Sequence, residues 1–331
     1  MPKVSIIIPS YNHAKFLEQR LDSIFNQTYQ DFEVIFLDDA SSDNTKEIFS
    51  KYTDHPKVKK VIFNSQNSGS PFKQWNKGVK EAQGEYIWIA ESDDYADRKF
   101  LETLVPLLEE NPKIGIAYCQ SLQINEKSQI TKSYSNYTED IDKNRWNNSF
   151  INSGIDEVTN YLIVKNTIPN ASAVLMRRKA YIEAEMAPEN MRLCGDWYSY
   201  IKILRKYDIA FCNQPLNYYR YHSQISRAYN KKDKNKRFIQ YIEHYIILNF
   251  VSNNFQMTSE KKESMYFNLI KRWSNLISLL DCLKLKFWKL IFYYLKDEPS
   301  KLKHGKLMLK KLITNTKPDL KIIVTMNQKN I

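Results

Sequence analysis

Glycine is scarce in this chain, which has 331 residues and only 7 glycines. The Walker loop and the G-x-G-x-x-G loop hold phosphate groups through backbone N–H groups, and both need several glycines at fixed spacing. Neither pattern occurs in the sequence. A phosphate-bearing ligand would therefore have to be held by side chains or through a metal ion.

Paired cysteines and long apolar runs are also lacking. The four cysteines (Cys119, Cys194, Cys212, Cys282) show neither disulfide-like nor zinc-site spacing, so we expect free thiols in a reducing compartment. We expect no signal peptide, because the early apolar run at residues 4–8 is short and is followed by proline. We also expect no membrane-spanning helix, because two lysines interrupt the short apolar stretch at residues 285–295.

Positive charge is concentrated near the end of the chain. Residues 271–331 contain 14 Lys and Arg against 4 Asp and Glu, a net charge of +10 out of +12 for the whole sequence. Lysines there alternate with Leu, Ile, Phe, Trp and Tyr, which favours the surface of an anionic membrane over nucleic acid. We therefore expect residues 226–331 to form a basic, amphipathic helical region that binds a membrane, and we expect no nucleic-acid partner.

The first 120 residues alternate short apolar runs with segments of helical periodicity. Five apolar runs predict five strands, which lie at residues 3–8, 32–37 and 58–63, within residues 84–95, and at residues 114–119. Strands that alternate with helices favour a mostly parallel sheet covered on both faces. The sequence thus predicts an α/β, Rossmann-like fold, with residues 1–120 as a nucleotide-binding half.

Residues 84–95 hold the most informative stretch, a buried strand that ends in Glu91, Asp93 and Asp94. In open α/β sheets, ligands bind outside the carboxyl ends of the strands. Crowded carboxylates raise one another's pKa unless a cation lies between them, and hard divalent ions bind carboxylates together with phosphates. We therefore expect a metal-bridged phosphate ligand here, with helix capping as the alternative, although a cap explains only one of the three carboxylates.

Later residues supply further candidates. Asp38 and Asp39 follow the second strand, Asp196 stands at the start of a predicted helix, and His222 follows a predicted strand or β-arm. If these side chains meet at one sheet edge, the pair Asp38 and Asp39 would hold a nucleoside. The acidic cluster would hold a divalent ion on its diphosphate, while Asp196 would accept a proton. A plain N-cap at Asp196 and a structural histidine at 222 are the alternatives.

Three motifs in this order resemble the family 2 inverting glycosyltransferases with the GT-A fold. They are Val4-Ser5-Ile6-Ile7-Ile8-Pro9-Ser10-Tyr11-Asn12, the stretch from Phe36 to Thr45 with Asp38-Asp39, and the stretch from Gly84 to Ser92-Asp93-Asp94. The resemblance is dense over residues 1–120 and thinner to residue 225. It implies a GT-A domain at residues 1–225, in which residues 121–225 form the acceptor half.

The resemblance also implies roles for individual residues. Pro9, Tyr11 and Asp39 would contact the base or ribose of a nucleotide-sugar, Glu91 and Asp93 would contact the donor, and Asp196 would be the catalytic base. Asp93, Asp94 and His222 would hold Mg²⁺ or Mn²⁺. The family commonly has Asp where Glu91 stands, and often Glu where Gly195 precedes Asp196.

The function that follows is an inverting transfer of a sugar, by default from a UDP-sugar, to a hydroxyl of a glycan or lipid-linked acceptor. The resemblance implies bacterial surface polysaccharide synthesis at the inner face of the membrane. The processive Gln-x-x-Arg-Trp motif is absent, which favours single additions. The alternative is a non-catalytic nucleotide-binding protein whose basic region binds nucleic acid or membrane.

Overall fold

The computed structural model describes residues 1–222 and 234–276. The chain forms two compact units, Met1–Ser226 and Arg227–Ile331. The strands of the first unit are β1 (Val4–Ser10), β2 (Phe32–Asp38), β3 (Val58–Phe63), β4 (Tyr86–Ile89), β5 (Tyr95–Ala96), β6 (Ile114–Ile124), β7 (Ile130–Ser133), β8 (Phe150–Asn152), β9 (Val174–Arg177) and β10 (Asp208–Arg220). All of them belong to one sheet.

The helices of the first unit lie between these strands. They are α1 (Ala14–Phe25), α2 (Thr45–Ser50), α3 (Pro71–Glu81), α4 (Phe100–Glu109), α5 (Gly154–Asp156) continued by a π-helical segment (Glu157–Leu162), α6 (Arg178–Glu183) and α7 (Gly195–Leu204), with 3-10 turns at Tyr134–Thr138, Arg145–Asn147 and Ala171–Ala173. The second unit contributes α8 (Lys234–Asn254) and α9 (Ser259–Leu276). Among these described helices, none combines the length and the apolar character needed to cross a bilayer.

The sheet has the order β3-β2-β1-β4-β9-β6-β10-β5, and in addition β7 pairs with β6 and β8 pairs with β10. Strands β1 to β4, β6 and β10 run in one direction, because the β1–β2, β2–β3, β1–β4 and β6–β10 pairs are parallel and β9 lies antiparallel between β4 and β6. The predicted α/β class with a mostly parallel sheet is confirmed. The carboxyl ends of β1, β2 and β4 consequently lie at one edge.

Helices cover this sheet through a core of aliphatic and aromatic side chains. Ile6, Ile8 and Val34 of the central strands, together with Leu21 of α1 and Leu104 of α4, are completely buried. Burying this apolar surface on the sheet is the main favourable term in folding. The core thereby fixes where the strands end, and with them the loops at the carboxyl edge.

Strand β10 is longer and less regular than the other strands of the sheet. The sequence predicts strands or a β-arm at residues 209–212 and 216–221, and the structure has the single strand β10 (Asp208–Arg220) over both stretches. The pairing of β10 with β6 shifts register on both sides of Pro215. Proline has no N–H to donate, so the ladder is irregular there while the strand continues through it.

Candidate functional site

A cleft of about 450 Å³ opens at the carboxyl edge of the sheet. It is lined by the end of β1 and the turn after it, by Asp39 after β2, by the loop and first turn of α3, and by Glu91 after β4; the residues are Pro9, Ser10, Tyr11, Asn12, His13, Asp39, Asn67, Gly69, Ser70, Pro71, Gln74 and Glu91. Its volume is that of a small-ligand site. Four predicted substrate residues, Pro9, Tyr11, Asp39 and Glu91, therefore share one cavity.

Tyr11 and Asp39 differ in their surroundings. Tyr11 is 47% exposed, so its ring is available as a surface for stacking. Asp39 is buried, and its Oδ1 accepts hydrogen bonds from Asn64 Nδ2 (2.7 Å), the Ser68 backbone N–H (2.9 Å) and Gln74 Nε2 (2.8 Å). Its Oδ2 accepts from Ser68 Oγ at 2.8 Å. In this structure the Asp39 carboxylate thus organises the loop that leads into α3.

Two buried arginines hold the backbone of the acidic turn at residues 91–94. Arg20 of α1 donates from Nε to the Glu91 carbonyl oxygen at 2.8 Å, and Arg220 of β10 donates from Nε to the Asp93 carbonyl oxygen at 2.8 Å. Burial lowers the pKa of Arg20 to about 10, although the nearby carboxylates oppose this shift. Both guanidinium groups thus place positive charge beneath the carboxylates and fix the path of the turn.

The three carboxylates of the turn have different environments. Burial, reinforced by the charge of Asp93, raises the pKa of Glu91 to about 8 and that of Asp94 to about 7. Burial also disfavours the charged form of Asp93, but the charge of His13 and the hydrogen bond with His222 outweigh it and hold the pKa of Asp93 at about 2. Glu91 Oε1 accepts from Trp75 Nε1 at 2.8 Å. Asp93 is therefore the most acidic of the three carboxylates.

Asp93 meets two histidines. His222 Nε2 lies 3.0 Å from Asp93 Oδ2, and His13 Nε2 lies 4.0 Å from the same oxygen. The potential ligand atoms of His13, Asp93 and His222 all lie within 4.8 Å of one another. His13 Nδ1 is 2.9 Å from Ser92 Oγ, so when Nδ1 carries the proton, Nε2 keeps a lone pair for a cation. The chemistry of this donor set fits a divalent transition-metal ion.

Asp94 faces a different partner. The residue is 2% exposed, and its Oδ1 accepts from the backbone N–H of Arg220 at 2.8 Å. The structure thus brings together two of the three predicted metal residues, Asp93 and His222. The third member of the cluster is His13 rather than Asp94.

Asp196 stands in the first turn of α7 and is half-buried, and its Oδ2 accepts from Asn166 Nδ2 at 3.1 Å. It does not line the cleft, but the residue before it packs beside the cleft. A Cβ on Gly195 would come within 2.5 Å of the Phe72 ring, which follows Pro71 of the cleft wall. Helix α7 therefore begins next to the start of α3.

Sequence reasoning missed His13, Gln74 and Arg20, and it gave Arg220 no role. His13 directly follows the turn at Pro9 to Asn12, and that position was the one local signal available. For the other residues the contacts join segments far apart in the chain, such as Arg20 with the turn at residues 91–94. A hydrophobic pattern carries no information on such pairs.

Comparison with known proteins adds independent findings. A family model described as Glycosyl transferase family 2 matches residues 5–183. An uncharacterized glycosyltransferase of Haemophilus influenzae is 36% identical over 137 residues, which cover 40% of this chain and 54% of that protein. TarS of Staphylococcus aureus, a poly(ribitol-phosphate) beta-N-acetylglucosaminyltransferase, is 35% identical over 113 residues, which cover 34% of this chain. The match spans about half of the Haemophilus protein and 20% of TarS.

Solved structures show the same architecture. The crystal structure of S. aureus TarS 1-349 in complex with UDP-GlcNAc has a TM-score of 0.60 and 19% sequence identity, and the match covers 82% of this chain and 72% of that chain. Mannosyltransferase PcManGT from Pyrobaculum calidifontis, solved with GDP-Man and Mn²⁺, has a TM-score of 0.55 and 17% identity, covering 94% of this chain and 85% of that chain. At these identities the likeness establishes a shared fold.

Proposed function

The chain belongs to glycosyl transferase family 2 and is a glycosyltransferase with the GT-A fold, and from this premise we propose that it transfers a sugar from a UDP-sugar to a hydroxyl of a glycan or lipid-linked acceptor. The observation that carries the proposal is the cleft that joins Pro9, Tyr11, Asp39 and Glu91 beside the cluster of Asp93 and the two histidines. The fold and the family were both predicted from the sequence motifs, and both are confirmed.

The donor nucleotide occupies the cleft along the sheet edge. Its nucleoside lies at the end of β2, between the exposed ring of Tyr11 and the loop held by Asp39. Its diphosphate lies toward the end of β4, where Arg20, Arg220 and the two histidines place positive charge or cation-binding atoms. TarS, whose fold the chain shares, has been solved with UDP-GlcNAc, which supports a UDP-sugar as the donor.

Asp93, His222 and His13 would hold a divalent cation, while Asp94 fixes the end of β10 through its bond to Arg220. A cation held there neutralises the charge that develops on the departing diphosphate. Two imidazoles with one carboxylate favour Mn²⁺ over Mg²⁺, because nitrogen ligands bind transition-metal ions better than the harder Mg²⁺. The structure of PcManGT with Mn²⁺ on the same fold supports this choice.

Asp196 acts as the general base. Asn166 donates to its Oδ2 at 3.1 Å and orients the carboxylate, which accepts the proton of the acceptor hydroxyl. The hydroxyl then attacks the anomeric carbon from the face opposite the nucleotide, and the configuration of the sugar inverts. The acceptor is a bacterial surface polymer or its lipid-linked precursor, a proposal supported by the poly(ribitol-phosphate) acceptor in the name of TarS.

The role of Asp196 is tested with Asp196→Asn in the full chain. We expect transfer from a panel of UDP-sugars to drop about 100-fold or more, because the amide cannot accept the proton. Binding of UDP, measured by calorimetry, should stay within about threefold of the parent chain, since a general base contributes to the chemical step.

The matched control is Asp142→Asn, which changes another carboxylate near a helix start, where it accepts the N–H groups of Asn144 and Arg145. That variant should transfer sugar at the parent rate. Normal transfer by Asp196→Asn would remove the proposed base.

The cation site is tested with His13→Ala and His222→Ala. Each should weaken Mn²⁺ binding about tenfold or more, measured by the electron paramagnetic resonance signal of free Mn²⁺ during titration. His55→Ala is the control, because His55 is a histidine outside the cluster of His13, Asp93 and His222. The His55 ring packs against Phe25, with the ring centroids 4.0 Å apart. Unchanged Mn²⁺ affinity in both test variants would contradict this ligand set.

A further inference from the structure

Helix α3 makes different contacts on its two faces. Pro71 and Gln74, three residues apart, line the cleft. Phe72 and Asn76, four residues apart, instead contact the segment that leads into α7. Residues three or four apart share one face of a helix, whereas residues two apart lie on opposite faces. Helix α3 therefore stands between the cleft and the polypeptide that carries Asp196.

Asn76 holds that polypeptide through a complete set of hydrogen bonds. The residue is 3% exposed, and its Nδ2 donates to the Ala187 carbonyl oxygen at 2.9 Å and to Glu189 Oε1 at 3.0 Å. Its Oδ1 accepts from Tyr181 Oη–H at 2.9 Å and from the Ala187 backbone N–H at 3.0 Å. The amide thus uses both of its donors and accepts twice, and it binds both backbone groups of Ala187.

The backbone just before Ala187 adopts a conformation that favours glycine. Glu185 has φ 60° and Met186 has φ 55°, and both lie in the left-handed region. Side-chain-bearing residues stay in this region where the surrounding structure fixes them. Lys202 of α7 supplies one such contact, because its Nζ donates to the Met186 carbonyl oxygen at 2.9 Å. The segment is therefore fastened to α7 as well as to α3.

The rest of the segment stays close to α3 up to the start of α7. Ser70, which precedes α3 and lines the cleft, donates from Oγ to the Met191 carbonyl oxygen at 3.4 Å. Gly195, the first residue of α7, packs against the Phe72 ring. Residues 187–195 are thus anchored to α3 at both ends. The start of α7 cannot move away from the cleft wall without breaking these contacts.

We propose that Asn76 is a positioning residue, which clamps Ala187 to the back of α3 and thereby sets the distance between Asp196 and the donor sugar. This inference rests on the proposed function, in which Asp196 is the general base. Asn76 acts through that base and does not touch the substrate. A misplacement of a reacting group by about 1 Å can reduce a rate about 100-fold, so a clamp at this point controls the chemical step.

The test measures Asn76→Ala in the full chain, with the UDP-sugar that the parent chain transfers fastest. We expect kcat to fall about tenfold or more, because the base is no longer held at its working distance. Binding of UDP, measured by calorimetry with Mn²⁺, should stay within about threefold, because the cleft face of α3 is unchanged. Hydrogen exchange at the Ala187 amide should become about tenfold faster or more, since its acceptor on Asn76 is removed.

Tyr181→Phe is a milder second variant, which removes only the hydroxyl that donates to Asn76 and accepts from the Ala187 N–H at 3.1 Å. It should lower kcat about two- to fivefold, again with UDP binding within about threefold. This variant tests the clamp even if Asn76→Ala fails to fold.

Val105→Ala is the control for lost stability. Val105 is completely buried between α4 and the sheet, on a different helix from Asn76, Tyr181 and Asp196. The cavity left by this change lowers the melting temperature. Its kcat should stay within about twofold of the parent chain, whereas a variant that displaces the base loses kcat at the same melting temperature.

The outcomes separate this inference from the proposed function. Unchanged kcat in Asn76→Ala and Tyr181→Phe, in a chain that Asp196→Asn inactivates, would overturn the clamp and leave the proposed base in place. A loss of UDP affinity as large as the loss of kcat would also overturn it, because Asn76 would then support the cleft. Normal transfer by Asp196→Asn, or a parent chain that transfers no sugar, would refute the proposed function and with it the role of Asn76.

Discussion

Gly195 stands immediately before the proposed catalytic base, at a point where a side chain has no room. The resemblance to family 2 predicts Glu at this position more often than glycine, so Gly195 departs from the family pattern. A Cβ here would lie 2.5 Å from the ring of Phe72, a buried side chain that packs edge-on against Trp75 with ring centroids 5.0 Å apart. The glycine therefore lets α7 begin directly against α3.

Gly195→Ala should lower the free energy of unfolding by about 1–3 kcal/mol, because the added methyl group overpacks this contact. Urea denaturation followed by tryptophan fluorescence measures the change. The control is the double variant Gly195→Ala with Phe72→Leu. It should show a favourable coupling of about 0.5 kcal/mol or more, since a smaller side chain at 72 relieves the overlap. Strict additivity of the two changes would contradict the packing explanation.

Asn170 links three elements beneath the acidic turn. Its Nδ2 donates to Ser121 Oγ of β6 at 3.1 Å, and its Oδ1 accepts from Asn217 Nδ2 of β10 at 2.9 Å and from the Ala173 backbone N–H at 3.1 Å. The last bond caps the 3-10 turn Ala171–Ala173. Ser172 of that turn accepts from Glu91 N–H and from Arg20, so the network sets the position of the acidic turn.

Asn170→Ala should destabilise the protein by about 2–4 kcal/mol, because it leaves buried donors of Asn217 and Ala173 without their acceptor. It should also weaken Mn²⁺ binding, since the turn that carries Asp93 loses its support. The exposed Asn136→Ala serves as the control and should change stability by less than about 0.5 kcal/mol. An Asn170 variant of normal stability would show that the network is dispensable.

The chain divides into the units Met1–Ser226 and Arg227–Ile331, and each candidate site residue lies in the first. The matched family segment, residues 5–183, lies there too. The predicted division into a GT-A domain at residues 1–225 and a helical region at 226–331 remains a proposal. Residues 277–331, most of the basic segment expected to bind a membrane, lie outside the described residues, and that role also stays a prediction.

A fragment of residues 1–226 should fold cooperatively and bind UDP within about threefold of the affinity of the full chain, because the cleft and its supporting contacts are internal to this unit. Urea unfolding and calorimetry measure the two properties. The full chain under the same conditions is the reference. Loss of UDP binding in a folded fragment would show that the nucleotide site needs residues beyond 226.

The sequence alone determined the α/β class, the family and the positions at which acidic residues follow strands. These features are local, because strands and turns are encoded within a few residues and the motifs occupy short stretches before Asp94. Parallel pairing then places the ends of β1, β2 and β4 side by side, so the grouping of Pro9, Tyr11, Asp39 and Glu91 in one cleft was predictable.

Only the tertiary structure decided what each polar group contacts. It joined His13 to His222 across more than 200 residues, turned Asp94 toward the Arg220 backbone, and surrounded Asp39 with four hydrogen bonds, one of them from Gln74. Such contacts depend on how the loops of separate strands pack at the sheet edge. The sequence pattern does not predict these contacts, because the side chains that meet at the sheet edge have no regular spacing along the chain.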